Sequence, residues 1–195
     1  MKVVPSASDQ FEISVLKEFS FLERDYGFSK SIIRPNAHST IINYKNYDVF
    51  VNLVFGPPAY EPEMSFGRLG VDDRQGGFNF EAGDLIQLGS CRGWAKKGEN
   101  LPPLEGQVAW LAALLGECGR PCLLGDSVVY AEMKSRRETL VMEWQRDERA
   151  KAQAGEIDTA WKAKDYQTVI RLCSAYDGVL SDINRKRLEV ARGKV

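Results

Sequence analysis

The chain has 195 residues, of which 44% are hydrophobic and 10% aromatic, so it can bury a core in one domain or in a domain with an appendage. Its 26 basic and 27 acidic side chains leave a formal charge of -1, which gives no overall field to attract nucleic acid or an anionic membrane. No apolar run approaches the roughly 18 residues of a membrane span, and the N-terminus lacks the apolar core of a signal peptide. The composition therefore predicts a cytoplasmic protein that binds neither nucleic acid nor membrane.

The first predicted element is an amphipathic helix over residues 9–26. Asp9 is expected to cap it, with Glu12 completing a capping box, and Gly27 is expected to end it in the left-handed conformation. Its apolar side chains recur at helical spacing and form a wide stripe: Phe11, Val15, Phe19, Leu22 and Tyr26. A stripe of this width predicts that the helix lies on a flat apolar surface.

An antiparallel meander is predicted to follow this helix. Its strands are expected at 31–33, 39–44, 47–55, 63–69 and 78–80, with turns at Lys45-Asn46 and over the polar residues 70–77. The strand over 47–55 alternates at period two and carries one apolar face: Tyr47, Val49, Val51, Leu53 and Phe55. This face is predicted to pack against the helix of residues 9–26.

The second half of the sequence is predicted to be mostly helical after a loop over residues 89–104. One helix is expected from Glu105 to a break at Gly119, and a longer one from its cap Asp126 to near Ala154. The fold class is therefore α+β, with an N-terminal helix packed on an antiparallel meander and a mostly helical C-terminal half. We predict an α+β domain over 1–150 and a helical hairpin appendage over 151–195, packed on the same domain.

The segment AWKAKDYQTVIRL, residues 160–172, resembles the middle of a tetratricopeptide repeat. Trp161 and Tyr166 flank a Lys164-Asp165 corner, with Lys164 in the place of the usual corner glycine, and Ser181 is expected to cap a last helix. A repeat array needs about three copies, and no second copy occurs here. A lone helical hairpin is therefore predicted.

Four cysteines could form two bridges, but the absence of an export signal favours free or buried thiols at all four: Cys91, Cys118, Cys122 and Cys173. Three residues separate Cys118 from Cys122, whereas two residues separate the cysteines in thioredoxin-type motifs. Both are expected to pack in a corner between helices. No second pair has the spacing that would complete a zinc site.

The sequence contains no catalytic, cofactor-binding or metal-binding signature, which favours a protein that is not an enzyme. His38 is the single histidine, so a nucleophile–histidine pair would need it together with a thiol such as Cys91 or Cys173. A surface histidine at a strand edge is the simpler interpretation. No glycine-rich phosphate-binding loop follows a strand, so no cofactor is expected.

One acidic cluster surrounds the polar turn, and it is open to three interpretations: a solvated turn, a metal or acid–base site, or an anionic patch that faces a basic partner. Nearby aromatic and arginine side chains favour partner binding, because these residues dominate interface hot spots. The candidate partner-binding residues are Tyr60, Asp72, Asp73, Arg74, Phe78, Glu81, Asp84 and Trp94.

The first ninety residues resemble families of bacterial immunity proteins encoded beside polymorphic or contact-delivered toxins. The resemblance lies in an F-x-F-L-x-x-x-Y-G-F helix followed by an N-Y-x-N-Y hairpin, at residues 19–28 and 43–47. It implies a cytosolic protein that binds and occludes a cognate toxin domain without a cofactor. The alternative is a non-enzymatic adaptor or chaperone that holds a partner through the C-terminal hairpin. The oligomeric state cannot be predicted.

Overall fold

The computed structural model describes residues 5–36, 38–70, 79–88, 91, 102–176 and 180–195. Backbone contacts divide the chain into two compact units, unit 1 (Met1–Arg136) and unit 2 (Arg137–Val195). The chain is an α+β protein, as the sequence predicted, with an N-terminal helical segment, a five-stranded antiparallel sheet and a mostly helical C-terminal half. The predicted organisation, a domain over 1–150 and an appendage over 151–195, stays a prediction.

The described residues form these elements in chain order: α1 (Ala7–Glu18), α2 (Ser20–Tyr26), β1 (Ser29–Asn36), β2 (Ser39–Lys45), β3 (Val49–Phe55), β4 (Glu63–Arg68), β5 (Phe80–Glu81), α3 (Ala82–Ile86), α4 (Leu104–Cys118), α5 (Arg120–Leu123), α6 (Ser127–Lys162), α7 (Tyr166–Ser174) and α8 (Asp182–Arg192). Helix α6 begins in unit 1 and ends in unit 2.

The sheet is a meander in the order β1-β2-β3-β4-β5, with every neighbouring pair antiparallel. Ile42 faces Leu53 across β2 and β3, and Leu53 faces Met64 across β3 and β4. All three side chains are buried, so they form one apolar row across the central strands. The inward face of β3 is buried as predicted, at Val49, Val51, Leu53 and Phe55.

Helix α1 packs on this face, which confirms the predicted helix–sheet contact, and Leu22 of α2 belongs to the same buried cluster. The single helix predicted over 9–26 is instead two helices, divided at Phe19. The Phe11 and Phe55 rings stack with centroids 5.3 Å apart, and Phe19 lies 6.5 Å from Tyr44. Gly27 ends α2 in the left-handed conformation at φ 67, as the sequence predicted.

The predicted N-cap of this helical segment is wrong by three residues. Ser6, not Asp9, caps α1: its hydroxyl accepts a hydrogen bond from the Asp9 amide at 3.1 Å, and the Asp9 carboxylate accepts one from the Ser6 amide at 3.1 Å. A capping box thus exists one turn earlier than predicted, with Asp9 in the acidic position that was assigned to Glu12. The Ser6 hydrogen bonds also lower the pKa of Asp9.

Helix α4 packs against α1 and α3 and ends at Gly119, where the sequence predicted a break. The expectation of four free thiols is wrong: Cys91 and Cys118 form a disulfide with their Cα atoms 5.9 Å apart. The bridge ties the end of α4 to the chain that follows α3. Cys122 is a free buried thiol, and burial raises its pKa to about 12.

Unit 2 consists of the C-terminal part of α6 with α7 and α8. It has a small core: Ile157, Ala160, Val169, Cys173 and Ala191. Trp161 and Tyr166 meet edge to face with centroids 6.0 Å apart, and Lys164 lies between them with a φ of 58. Ser181 caps α8 as predicted, and α6 continues to Lys162, beyond the end predicted near Ala154.

Candidate functional site

The β2–β3 turn presents the most exposed aromatic side chain among the described residues. Tyr47 is 99% exposed, although the alternating pattern had placed it in the strand beside Val49. The preceding Asn46 explains the difference, because its Oδ1 accepts hydrogen bonds from the amides of Asp48 at 3.0 Å and Val49 at 2.8 Å. These bonds form an Asx turn that delays the strand and leaves Tyr47 at the tip.

Two backbone hydrogen bonds also hold the β2–β3 turn in place. The amide of Leu69, just after β4, donates to the carbonyl of Asp48 at 2.8 Å. The amide of Asn46 donates to the carbonyl of Val49 at 3.0 Å and closes the turn itself. Tyr47 therefore projects from a backbone whose position is fixed by two neighbouring strands.

The loop between α5 and α6 lies directly beside this turn. A methyl group placed on Gly125 would lie 3.5 Å from the Asp48 Cβ and 3.8 Å from the Val49 Cγ2. Gly125 has a φ of 72, a conformation that a side chain would strain. Next to it, Asp126 caps α6, as predicted, by accepting from the Val128 amide at 2.9 Å.

Two exposed apolar side chains flank Gly125. Leu124 is 65% exposed and Val128 is 73% exposed. Tyr47 and Asp48 are exposed on the first of these two loops and Leu124 and Val128 on the second, and the loops approach each other at Gly125; we call these four residues the turn patch (Tyr47, Asp48, Leu124 and Val128). An aromatic tip, two aliphatic side chains and one carboxylate can bind a protein surface, but they offer no catalytic or metal-binding set.

Beneath the patch the core is rigid and aromatic. Tyr130 packs against both Phe66 and Phe80, with centroids 6.4 and 5.5 Å away, and its hydroxyl donates a hydrogen bond to the Cys122 carbonyl at 3.2 Å. Its position fixes the first turn of α6, which carries Val128. The two loops of the turn patch are therefore both anchored in the core of unit 1.

The structure separates the predicted site residues that it describes. Tyr60 is 52% exposed on the β3–β4 connection, which lies at the end of β3 opposite to the Tyr47 turn. Its ring packs edge to face on Phe55 at 6.1 Å. Gly70, after which the predicted acidic segment begins, follows Leu69 and so lies at the Tyr47 end. Tyr47, and not Tyr60, therefore lies at the same end of the sheet as Gly70.

Glu81 and Asp84, the other described members of the predicted cluster, lie at the start of α3. Asp84 accepts a hydrogen bond from the Glu81 amide at 2.7 Å, so these residues cap a helix that sequence periodicity did not reveal. Five further predicted site residues lie outside the described residues: Asp72, Asp73, Arg74, Phe78 and Trp94.

The nucleophile–histidine alternative gains no support from the described residues. Cys91 is bonded to Cys118, and the amide of His38 donates to Asn36 Oδ1 at 2.8 Å within an exposed turn. In the described part of the chain, no three His, Cys, Asp or Glu side chains form a group that could hold a metal ion.

Unit 2 carries an open groove of about 600 Å³ between the end of α6 and α7. On one side it is lined by small residues of α6, among them Ala152, Gly155 and Thr159, and by Ala163 just after that helix; Arg171 and Leu172 belong to the α7 side.

No protein-family model, curated protein or solved structure matches the chain. Of the helices in the described ranges, none combines the length and the apolar composition that are needed to cross a bilayer.

Proposed function

We propose that this protein is a non-enzymatic immunity protein that binds and occludes a cognate toxin domain, and that the turn patch is central to that contact. The observation that carries the proposal is Tyr47, which is 99% exposed at the tip of a turn held by Asn46 and Leu69. Tyrosine is enriched among the residues that dominate binding energy. A large side chain on a fixed backbone also loses little conformational freedom on binding.

The chemistry around Tyr47 suits a basic partner. Asp48 is exposed beside it, Asp126 is exposed at the start of α6, and the acidic segment that contains Asp72 and Asp73 follows Gly70 in sequence. Toxin domains that act on nucleic acid present basic clefts, and an acidic surface would enter such a cleft by charge complementarity. The N-Y-x-N-Y element of the immunity-protein resemblance ends at Tyr47 itself.

The test begins with the partner. Immobilised wild-type protein is used to capture the partner, and protection against that partner's toxicity is measured in growing cells. Tyr47→Ala should weaken binding at least tenfold, equivalent to about 1.4 kcal/mol, and reduce protection. Ile13→Ala is the matched control, since Ile13 is 61% exposed on α1 and outside the patch. Equal loss in both variants, or no loss in Tyr47→Ala, would remove the patch from the proposal.

The acidic segment supplies a second arm of the test. Asp72→Lys combined with Asp73→Lys is expected to abolish partner binding with almost no change in the melting temperature. Binding and protection at the wild-type level would show that the acidic segment is not used. The C-terminal hairpin would then be the leading candidate.

The groove of unit 2 favours an alternative function, an adaptor or chaperone that holds a partner segment against α6 and α7. Ala163→Trp would fill this groove with an indole ring. Loss of the captured partner in Ala163→Trp, with Tyr47→Ala still active, would favour the adaptor over the immunity protein.

The cytoplasm is the location that this proposal assigns, and the Cys91–Cys118 bridge weighs against it because disulfides are rare in reducing compartments. Quenching the cells with acid and alkylating the thiols after denaturation, so that the buried Cys122 and Cys173 also react, decides the point. Four alkylated cysteines support a cytoplasmic protein, and two place it in an oxidising compartment.

A further inference from the structure

The five-stranded sheet has a long open edge, formed by β1. All eight residues of β1 (Ser29–Asn36) are exposed, and among the described strands β1 pairs with β2 alone. The strand at the opposite edge, β5, has only two residues and continues directly into α3. β1 therefore presents a row of backbone amides and carbonyls on which a further strand can pair.

Two hydrogen bonds identify the backbone groups that point to this open edge. The amide of Asn46, just after β2, donates to the Val49 carbonyl at 3.0 Å, so even-numbered residues of β2 bond to β3 and odd-numbered ones point to β1. The Ser29 hydroxyl accordingly donates to the Lys45 carbonyl at 3.1 Å. Since Ser29 also lies opposite Lys45 in the register, odd-numbered residues of β1 bond to β2 and even-numbered ones face away from it. The open groups are those of Lys30, Ile32 and Arg34.

Proline at a sheet edge usually opposes pairing, but Pro35 leaves this open row intact. It is odd-numbered and lies where the β1–β2 register shifts, between Ile33 and Asn36. Its missing amide therefore belongs to the side of β2, at a position where that ladder is already irregular.

Antiparallel pairing with a second β1 satisfies all of the open groups in one register. With the two-fold axis at Ile32, this residue lies opposite its own copy and Lys30 lies opposite Arg34 of the other copy, and each pair exchanges two hydrogen bonds. The side chains at the axis are apolar on both faces of the sheet. Ile32, 39% exposed, lies on the helix side because it faces the buried Ile42, and Ile33, 49% exposed, lies on the other side.

The two cations that this register brings together are balanced within each chain. Lys30 Nζ lies 2.6 Å from a carboxylate oxygen of Glu23, and Arg34 lies 2.6 Å from one of Glu12. Like charges directly opposite each other weaken a strand pair. Here each cation keeps its own carboxylate on α1 or α2, so pairing gathers no uncompensated positive charge.

We propose that β1 is a self-association edge, and that its occupant is β1 of a second copy of this chain, antiparallel and centred on Ile32. A second copy presents the same open groups at the same spacing and places isoleucine against isoleucine at the axis. The two five-stranded sheets then form one continuous sheet. An interface of one strand from each copy buries little area, so the dimer is weak and depends on concentration.

The first test uses the full chain of 21.9 kDa, with its mass measured by sedimentation at concentrations from about 1 to about 500 µM. Wild type is expected to approach twice its monomer mass. Ile32→Pro removes the central donor of the open edge and no donor to β2, so association should weaken at least tenfold. Ile32→Val keeps the amide and a β-branched side chain, and it should associate like wild type. Thermal unfolding at the lowest concentration shows whether each variant is folded as a monomer.

Cross-linking tests the register independently of proline. In the dimer, Ile32→Cys places two thiols on residues whose Cα atoms are about 5.5 Å apart, which is within disulfide range. A mild copper oxidant that takes up two electrons should therefore join the chains through an S–S bond, with release of both thiol protons. Ser29→Cys is the control, because its two thiols would be six residues apart along the strands, about 20 Å. The free thiols of the wild-type chain, Cys122 and Cys173, are buried.

Three results would overturn the proposal. The first is a wild-type protein that stays monomeric throughout the range, which is expected if the edge stays open or takes a strand of a different protein. The second is equal association of folded Ile32→Pro and Ile32→Val. The third is cross-linking of Ser29→Cys as readily as Ile32→Cys, which would show that the chains do not meet in this register.

Discussion

Unit 1 and unit 2 differ in the side chains that form the core of each. Among its described residues, unit 1 buries large aromatic side chains almost completely, namely Phe11, Phe19, Tyr44, Phe66, Phe80 and Tyr130. The described core of unit 2 contains small and aliphatic side chains, and its Trp161 is only partly buried. Unit 2 also has capped helices and charged pairs, such as Asp158 with Lys162 and Arg187, beside this smaller core. Mutations should therefore affect unit 1 through burial and unit 2 through local backbone and charge.

The largest effect is expected from Leu53→Ala in the centre of the sheet. Leu53 is fully buried between β2, β4 and the helical layer, so its truncation leaves a cavity and should cost about 2–5 kcal/mol of the free energy of unfolding. Chemical denaturation measures the loss, with Ile13→Ala as the exposed control. A loss below about 0.5 kcal/mol would show that this face is not the core.

Reduction of the Cys91–Cys118 bridge should come next. The bridge closes a loop across a sequence separation of 27 residues, and its loss should cost about 3 kcal/mol through the gain in unfolded-state entropy. Thiol titration of the denatured protein without reductant should count two cysteines, and four after reduction. Four in the unreduced protein would contradict the bridge and restore the sequence-based expectation.

A smaller effect of the opposite sign is expected at the corner of unit 2. Lys164 has a φ of 58, where a side chain costs roughly 1 kcal/mol and glycine costs little. Lys164→Gly should therefore raise the stability of unit 2, measured by thermal unfolding. Ala163→Gly is the control and should give no gain. A lower melting temperature for Lys164→Gly would mean that the lysine side chain stabilises the corner.

The smallest effect is expected from Asp158, whose side chain is partly exposed. Lys162 and then Arg187 lower its pKa, so the folded form binds the proton more weakly than the unfolded chain. Its contribution is present above the unfolded pKa and is lost as the pH falls through the folded pKa. Asp158→Asn should thus lower the melting temperature at neutral pH and lower it less at about pH 2. Equal effects at both values would mean that the charge is not responsible.

The sequence predicts the parts of this fold that follow from periodicity. The inward face of β3, the left-handed Gly27 and the Ser181 cap were all predictable from local patterns. The short helices α3 and α5 were missed because four or five residues are too few to show a helical period. The disulfide was missed because no spacing rule links cysteines on distant segments.

The candidate site was harder to predict than the fold. Tyr47 continues the apolar alternation of β3, and only the hydrogen bonds of Asn46 turn it outward. Leu124 and Val128 reach the same surface through the close approach of Gly125 to Asp48, which joins segments far apart in the sequence. Surfaces of this kind depend on tertiary contacts, and residue spacing along the chain does not encode them.

The exposed stretch of α6 has a consequence for the local opening of the helix. Every residue between Glu138 and Arg149 is exposed, so the backbone amides there depend mainly on the hydrogen bonds of the helix for protection. Opening there exposes no buried core, so hydrogen exchange should be faster than at Tyr130 on one side or Ile157 on the other. The same opening would admit trypsin at Arg146 and Arg149, and cleavage would part the chain into two fragments that each keep one of the two cores.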